Sequence, residues 1–150
     1  MLALVWLVSC GTSAEDTSPT SMTDAIDLLV EAPQQARIGD PVILRLTVES
    51  KLGTTAELRG ANPAQRYFFT IVDSGEQEVW RSRFGEPILR IEDMWTVAPA
   101  QKVVYEETWN TKGNDGRPVP PGVYSVRGFV GLTGGPATSD PVEITIRPSQ

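Results

Sequence analysis

Residues 109–130, W-N-T-K-G-N-D-G-R-P-V-P-P-G-V-Y-S-V-R-G-F-V, decide the fold of this chain, because they read as the end of a strand, a turn and a second strand. The run that leads into them, residues 102–109, places Val103, Tyr105 and Trp109 on one face at period two. That alternation is typical of a half-buried strand. The residues after the turn alternate in the same way. The sequence therefore predicts a β-hairpin around which the other elements are arranged.

The turn of this hairpin is predicted from its Asn, Asp, Gly and Pro residues. Residues 114–116, Asn-Asp-Gly, tolerate a positive φ at low cost. The prolines that follow fix φ at positions that offer no N–H to a sheet; they are Pro118, Pro120 and Pro121. We expect Gly122 to end the turn, and we expect the core face of the second strand to carry Tyr124, Val126 and Val130.

Short alternating runs separated by turn residues recur along the rest of the chain. The clearest covers residues 42–49, whose apolar side chains Val42, Leu44, Leu46 and Val48 share one face. Other candidate strands are residues 26–32, 56–59, 67–72, 77–82, 88–97 and 142–147. About eight short strands with no helical segment between them predict an all-β fold, an immunoglobulin-like antiparallel two-sheet β-sandwich.

Composition limits the classes of function. The chain has 150 residues, of which 40% are hydrophobic and 21% charged, which suits one globular domain. Its net charge of −6 argues against nucleic acid as a partner, since binding a phosphate backbone needs clustered Lys and Arg. It has no His and one Cys, which excludes His-based catalytic triads, zinc sites of His or several Cys, and any internal disulfide.

Two pairs of adjacent carboxylates are the candidates for acid–base catalysis. They are Glu106 with Glu107 and Glu92 with Asp93. Adjacent residues on a strand point to opposite faces, so neither pair can converge on one substrate atom. We therefore predict no catalytic residue, no metal site and no cofactor.

The N-terminus has the pattern of a bacterial lipoprotein signal peptide. Residues 1–9 are apolar and end in Leu-Val-Ser before Cys10, which fits cleavage before Cys10 and lipidation of its thiol. Residues 10–23 are small, polar and rich in Ser and Thr, as expected of a flexible tether, and the folded domain is predicted at residues 24–150. This organisation predicts a protein anchored in the bacterial cell envelope by lipid. The alternative is a cytoplasmic protein in which Cys10 is not processed.

The central segment resembles the BsuPI domain, a family named for a bacterial intracellular proteinase inhibitor. The resemblance depends on the pattern G-x-x-V-P-P-G-x-Y-x-V-x-G, which starts at Gly116, and on V-D-S-G-E-Q-E-V-W at residues 72–80. It extends over residues 24–146 and implies a structural role for Trp80, Trp109, Gly116, Pro121, Gly122 and Tyr124. The family usually has Gly at the position of Ala100.

The resemblance implies one candidate function, inhibition of a serine protease by an exposed loop. Residues 82–87, S-R-F-G-E-P, offer Arg83 to a trypsin-like pocket or Phe84 to a subtilisin-like one. Residues 131–136, which contain Leu132, form a second candidate loop.

The second candidate function is a non-catalytic, lipid-anchored module of the envelope that binds another protein. Sandwich domains commonly join proteins through edge strands or end loops without chemistry of their own. An anchor, a tether and a single sandwich fit that role, so we favour it and keep proteinase inhibition as the alternative. The sequence leaves open whether Trp80 and Trp95 pack in the core or bind a partner.

Overall fold

A computed structural model describes residues 22–60, 66–87 and 91–149. Within these residues, a 3₁₀ turn at Met22–Ala25 is followed by eleven strands. In chain order they are β1 (Ile26–Glu31), β2 (Gln35–Arg37), β3 (Val42–Ser50), β4 (Ala56–Gly60), β5 (Tyr67–Val72), β6 (Glu78–Arg81), β7 (Asp93–Val97), β8 (Lys102–Trp109), β9 (Gly122–Val130), β10 (Ala137–Thr138) and β11 (Val142–Arg147).

The strands form a sandwich of a small and a large sheet, which confirms the predicted all-β sandwich fold. The small sheet has the order β1-β3-β8. The large sheet has the order β2-β11-β9-β5-β6, and β10 also pairs with β9. All of these pairs are antiparallel except β2 with β11, which is parallel.

The core lies between these two sheets and follows the alternation of the sequence. The inward side chains of β3 are at most 1% exposed; they are Val42, Leu44, Leu46 and Val48. The two sheets lie close together at Gly128 of β9, since a Cβ there would lie 2.6 Å from a methyl carbon of Leu46. A side chain at this position would push the two layers apart, so the absence of one is part of the packing.

The predicted central hairpin is wrong. Strand β8 pairs with β3 in the small sheet, whereas β9 pairs with β5 and β11 in the large one. The segment between them, residues 110–121, therefore crosses from one sheet to the other, and we call it the 110–121 connection. Alternation shows which face of a strand is buried but not which strand lies beside it. The buried faces of β8 and β9 were therefore predicted correctly, but their pairing with each other was not.

Two short strands and a third sheet were not predicted. Strands β2 and β10 have three and two residues, too few to show a period. Strands β4 and β7 pair only with each other, in a separate two-stranded sheet. Gly60, at the end of β4, lies against the backbone of Gly131, where a Cβ would approach the carbonyl oxygen to 2.8 Å.

The folded part begins earlier than predicted. Met22, assigned from the sequence to the tether, lies in the 3₁₀ turn and packs against the core. The predicted signal peptide at residues 1–9 and the lipidation site Cys10 lie outside the described residues. In the part of the chain that the structure describes, no helix is long and apolar enough to span a membrane.

Candidate functional site

Residues 82–87 join the edge strand β6 to the segment before β7, and we call them the Phe84 loop. The loop is tightly turned. The N–H of Phe84 donates to the carbonyl of Arg81 at 3.3 Å, and that of Glu86 donates to the carbonyl of Arg83 at 3.2 Å. Arg83 and Gly85 both have a positive φ, of 61° and 79°. Arg83 thus adopts a conformation that costs a residue with a Cβ about 1 kcal/mol, so other contacts must hold it.

Ser82 fixes the start of the loop to the core. Its N–H donates to the carbonyl of Phe69 at 3.0 Å, and its hydroxyl oxygen accepts from the N–H of Phe69 at 2.8 Å. Ser82 is buried and Phe69 is fully enclosed. Both backbone groups of Phe69 on this side are therefore satisfied by one residue of the loop.

Arg83 holds the loop by turning inward. Its guanidinium lies over the ring of Tyr67, 4.8 Å from the centroid, and donates to the Tyr67 hydroxyl at 3.1 Å and to Glu107 at 3.4 Å. It also lies 3.7 Å from Glu86. Burial alone would lower the pKa of Arg83, but the hydrogen bond to Tyr67 and the nearby carboxylates raise it. The side chain is committed to internal contacts.

The contacts of Arg83 continue as a stack of rings and cations. Tyr67 stacks on Tyr105 with centroids 4.2 Å apart, across the gap between β5 and β8. Burial raises the pKa of Tyr105, although a hydrogen bond from Arg66 opposes the shift. Arg66 in turn lies over Trp95, 5.2 Å from its centroid, and binds both carboxylate oxygens of Asp93 at 2.7 Å. One continuous set of contacts thus links the loop to β7.

Phe84 differs from the rest of the loop because it points outward. It is 61% exposed, more than any other large hydrophobic residue in the part of the chain that the structure describes. Its side chain lies between two grooves. An apolar groove of about 240 Å³ lies on the side of Phe68 and Arg81. A more polar groove of about 460 Å³ separates the loop from residues 113–116.

The outer face of the large sheet extends the aromatic surface next to the apolar groove. Phe68 of β5 stacks on Phe129 of β9, with ring centroids 4.7 Å apart and planes within 2° of parallel. Arg81 lies over Phe68 at 5.6 Å and pairs with Glu78 at 2.6 Å. Sequence analysis missed these residues. Phe68 is adjacent to the buried Phe69, and Phe129 is adjacent to the buried Val130. Since adjacent residues of a strand point to opposite faces, this alternation was the signal that could have placed both rings on an outer face.

The other wall of the polar groove is the 110–121 connection, which is packed around Trp109. Trp109 is fully buried, lies 6.0 Å from the ring of Tyr124 and 6.3 Å from that of Trp80, and donates its indole N–H to the carbonyl of Lys112 at 2.8 Å. Tyr124 donates its hydroxyl to the carbonyl of Pro120 at 2.6 Å. A tyrosine bonded to backbone a few residues upstream is a feature of Greek-key sandwiches.

Most residues of the predicted structural motif lie in or beside this packing. Gly116 has a φ of 78°, so the prediction of a positive φ in this turn is confirmed. Trp80 is half-buried and packs against the core, as does Trp95. Gly122 opens β9, directly after Pro121. Asn114 closes the open edge of β6, because its side-chain oxygen accepts from the N–H of Arg81 at 2.9 Å and its own N–H donates to the carbonyl of Val79 at 2.8 Å.

The structure separates the three residues predicted for a binding loop. Phe84 is exposed and Arg83 is half-buried by its internal contacts. Leu132 is 6% exposed and belongs to the core, so its prediction as a surface residue is wrong. The loop around it is tied to its neighbours by the N–H of Thr133, which donates to the carbonyl of Arg59 at 2.7 Å. The Gly-rich composition predicted a surface loop but could not show that its one apolar side chain turns inward.

Three of the four acidic residues considered for catalysis are engaged in ion pairs, and Glu92 is exposed. Glu106 pairs with Arg45 at 2.6 Å on the outer face of the small sheet, whereas Glu107 points inward to Tyr67 and Arg83. Asp93 is held by Arg66. Among the described residues, no group of three or more His, Cys, Asp or Glu could hold a metal ion.

Comparisons with known proteins give a likeness of fold. No family model matches the chain, and no curated protein sequence does. The sporulation control protein Spo0M from Bacillus subtilis superposes with a TM-score of 0.50 at 13% identity, over 82% of this chain and 49% of Spo0M. The β-glucosidase EmGH1 from Erythrobacter marinus gives 0.49 at 14% identity, over 81% of this chain and 15% of its own.

A third solved structure, the alkylpurine DNA glycosylase AlkC from Pseudomonas fluorescens bound to DNA with an abasic site analogue, gives a TM-score of 0.48 at 15% identity. The superposition includes 82% of this chain and 30% of the glycosylase. The chain thus spans about half or less of each of these proteins. At such identities the superposition on Spo0M describes the sandwich alone.

Proposed function

We propose that this chain is a non-catalytic protein-binding module of BsuPI type that binds its partner through Phe84, held at the bacterial cell envelope by lipid on Cys10. The observation that carries the proposal is a large aromatic side chain that is 61% exposed on a loop held by the contacts of Ser82 and Arg83. An exposed aromatic on a rigid support binds with little loss of side-chain and loop entropy, and such anchors dominate the energetics of protein interfaces.

The surroundings of Phe84 fit the recognition of a protein surface. The apolar groove beside it continues into the stacked pair of Phe68 and Phe129. The charged groups around the groove, Arg81 with Glu78 and Arg83 with Glu86, supply a polar rim. An apolar centre with a polar rim is the usual anatomy of a protein interface.

The alternative function, inhibition of a serine protease, has less support from the geometry of the loop. A substrate-like inhibitor presents an extended backbone to the protease. Here two turns and two residues of positive φ follow each other within residues 81–86. Arg83 would also have to leave Tyr67 and Glu107 before it could enter a trypsin-like pocket.

Photo-crosslinking tests the proposal directly. Phe84 is replaced by p-benzoylphenylalanine in the full chain, expressed in its native host, and membranes are irradiated. We expect one discrete protein adduct that is absent when the same group replaces Val123, which is 48% exposed on the large sheet. Equal adducts from both positions, or none from Phe84, would contradict the proposal.

A protease titration separates the two functions. The protein is mixed with a subtilisin-like and a trypsin-like protease, and residual activity is followed together with cleavage of the loop. We expect full protease activity. Stoichiometric inhibition with a slow cut next to Phe84 would instead establish the inhibitor function and identify the reactive bond.

Mass spectrometry of the mature protein tests the anchor, since a diacylglyceryl group on Cys10 is expected and an intact Met1 would exclude it.

A further inference from the structure

The outer face of the small sheet carries a row of three residues, one from each strand, with an apolar residue at each end and a threonine between them; we call it the apolar row. By register, Leu29 of β1 lies beside Thr47 of β3, which lies beside Val104 of β8. Leu29 and Val104 are 57% and 52% exposed, whereas Thr47 between them is buried. Isolated apolar residues are common on protein surfaces, but two exposed apolar residues in register on one sheet face form a candidate contact surface.

A row of charged residues flanks the apolar row on each side. One consists of Glu31, Arg45 and Glu106, and the other of Asp27, Glu49 and Lys102. Within the chain, Arg45 pairs with Glu106 at 2.6 Å and Lys102 pairs with Glu49 at 2.8 Å. The order of charges therefore reverses between the two rows. In the first row the positive charge is on β3 and the negative charge on β8, and in the second row the negative charge is on β3 and the positive charge on β8.

We propose that this face binds a second copy of the chain, with a two-fold axis along the apolar row. That axis places the first charged row of one copy opposite the second charged row of the other. Arg45 then faces Glu49 of the second copy, and Glu106 faces Lys102 of the second copy. Each chain supplies both members of each contact, so the arrangement gives four attractive contacts across an isologous interface.

The charges select this axis over the other simple choice. A two-fold axis along the strands would place Arg45 and Glu49 each opposite itself and Glu31 opposite Glu106, and these contacts would repel. In that arrangement only Asp27 with Lys102 would attract. With the axis along the apolar row, the repulsive contacts are the two symmetry-related pairs of Glu31 with Asp27. Lys51, which lies 3.1 Å from Asp27, reduces that repulsion.

The dimensions of packed sheets allow these contacts. Facing sheets lie about 10 Å apart, and residues on one face of a strand repeat about every 7 Å. Long Arg, Lys and Glu side chains in neighbouring rows can therefore meet across the interface while the apolar rows close its centre. A three-stranded face is smaller than a standard interface, so we expect a weak dimer with a Kd of about 100 µM. This inference is independent of the function of Phe84.

Sedimentation velocity of the full chain over a wide range of concentration tests the dimer. We expect Val104→Glu, which puts a charge into the apolar row, to raise the dimer Kd by about tenfold or more. Val123→Glu is the matched control, because Val123 lies on the other sheet and is similarly exposed, and it should leave the Kd unchanged. A monomer at all concentrations, or self-association that Val104→Glu leaves unchanged, would overturn the proposal.

A charge reversal and its rescue test the axis. Arg45→Glu should weaken the dimer by placing like charges opposite Glu49, and the added change Glu49→Arg should restore it by recreating the contact with reversed sign. Urea unfolding shows that each variant is folded before its Kd is compared with that of the wild type. If the double variant dimerises no better than the single one, the proposed arrangement is wrong.

Discussion

The 110–121 connection and the Phe84 loop face each other across one polar groove and use aromatic side chains in opposite ways. In the connection, Trp109 is fully buried and its one polar atom is satisfied by backbone. In the loop, Ser82 and Arg83 hold the backbone through hydrogen bonds, yet Phe84 is left in solvent. The first arrangement stabilises the fold, and the second holds an aromatic ring in place outside it.

This difference shows where to look for function on a sandwich without catalytic residues. A buried aromatic side chain is explained by its contribution to stability, because burial of its apolar surface favours folding. An exposed aromatic on a mobile loop could be incidental. An exposed aromatic side chain on a loop that is held by an arginine with a positive φ needs another explanation, because its exposure does not stabilise the fold. Variants of the two regions should therefore separate stability from binding.

The largest loss of stability is expected from Trp109→Ala. It removes a fully buried indole that packs against Trp80 and Tyr124, and it leaves the carbonyl of Lys112 without its donor. We expect the free energy of unfolding to fall by about 4 kcal/mol. Urea denaturation followed by circular dichroism measures it. A loss below about 1 kcal/mol would show that the connection does not depend on this residue.

A smaller loss is expected from Ser82→Ala, at the base of the Phe84 loop. The change leaves the N–H of the enclosed Phe69 without its acceptor, which should cost about 2 kcal/mol. Ser50→Ala is the matched control, because the hydroxyl of Ser50 makes exposed, local hydrogen bonds and its loss should cost less than about 0.5 kcal/mol. Equal effects of the two changes would show that the loop is not anchored through Ser82.

The sequence predicted the faces of the strands better than their neighbours. The alternation of β3, β8 and β9 placed nearly every core residue correctly, because the pleat fixes which side chains share a face. It could not show that β8 and β9 lie in opposite sheets. That choice involves the 110–121 connection as a whole and the contacts of Trp109 with Trp80 and Tyr124, which no local pattern shows.

Ala100 shows the same limit for a single turn. Its φ is 60°, and the N–H of Gln101 donates to the carbonyl of Ala98 at 3.0 Å. The turn thus keeps the positive φ that Gly would supply, although the sequence has Ala.

At the candidate site, the residues S-R-F-G-E-P predicted an exposed loop. The inward turn of Arg83 depends on Tyr67 and Glu107, which are distant in sequence, and no local pattern shows it.

The pH dependence of stability should distinguish the polar contacts behind the loop from the aromatic packing of the connection. The hydrogen bonds from Arg66 lower the pKa of Asp93, although its burial acts in the opposite direction. A carboxyl group with a lowered folded-state pKa stabilises the fold above its unfolded pKa of about 3.9. That stability is lost as the pH falls through the folded-state value.

We expect Asp93→Asn to reduce the free energy of unfolding at neutral pH by about 1 kcal/mol, a modest value because Arg66 is one-third exposed and solvent screens the pair. The difference from the wild type should begin to shrink as the pH falls below about 4, where the carboxyl group of the unfolded chain takes up a proton, and should vanish once the pH lies below the lowered folded-state pKa of Asp93. Urea unfolding between pH 7 and pH 3 measures it. A difference that stays constant over this range would show that the charge of Asp93 contributes nothing to stability.

The smallest change in stability is expected from Phe84→Ser, and this variant gives the sharpest contrast with Trp109→Ala. Since Phe84 is 61% exposed, its loss should change the free energy of unfolding by less than about 0.5 kcal/mol. Its effect on binding should be large. Added in excess, unlabelled wild-type protein and the control Val123→Ser should both suppress the photo-crosslink formed at position 84, whereas Phe84→Ser should not. If Phe84→Ser competes as well as the wild type, the ring is not the anchor of the contact, even where a partner lies close enough to be crosslinked.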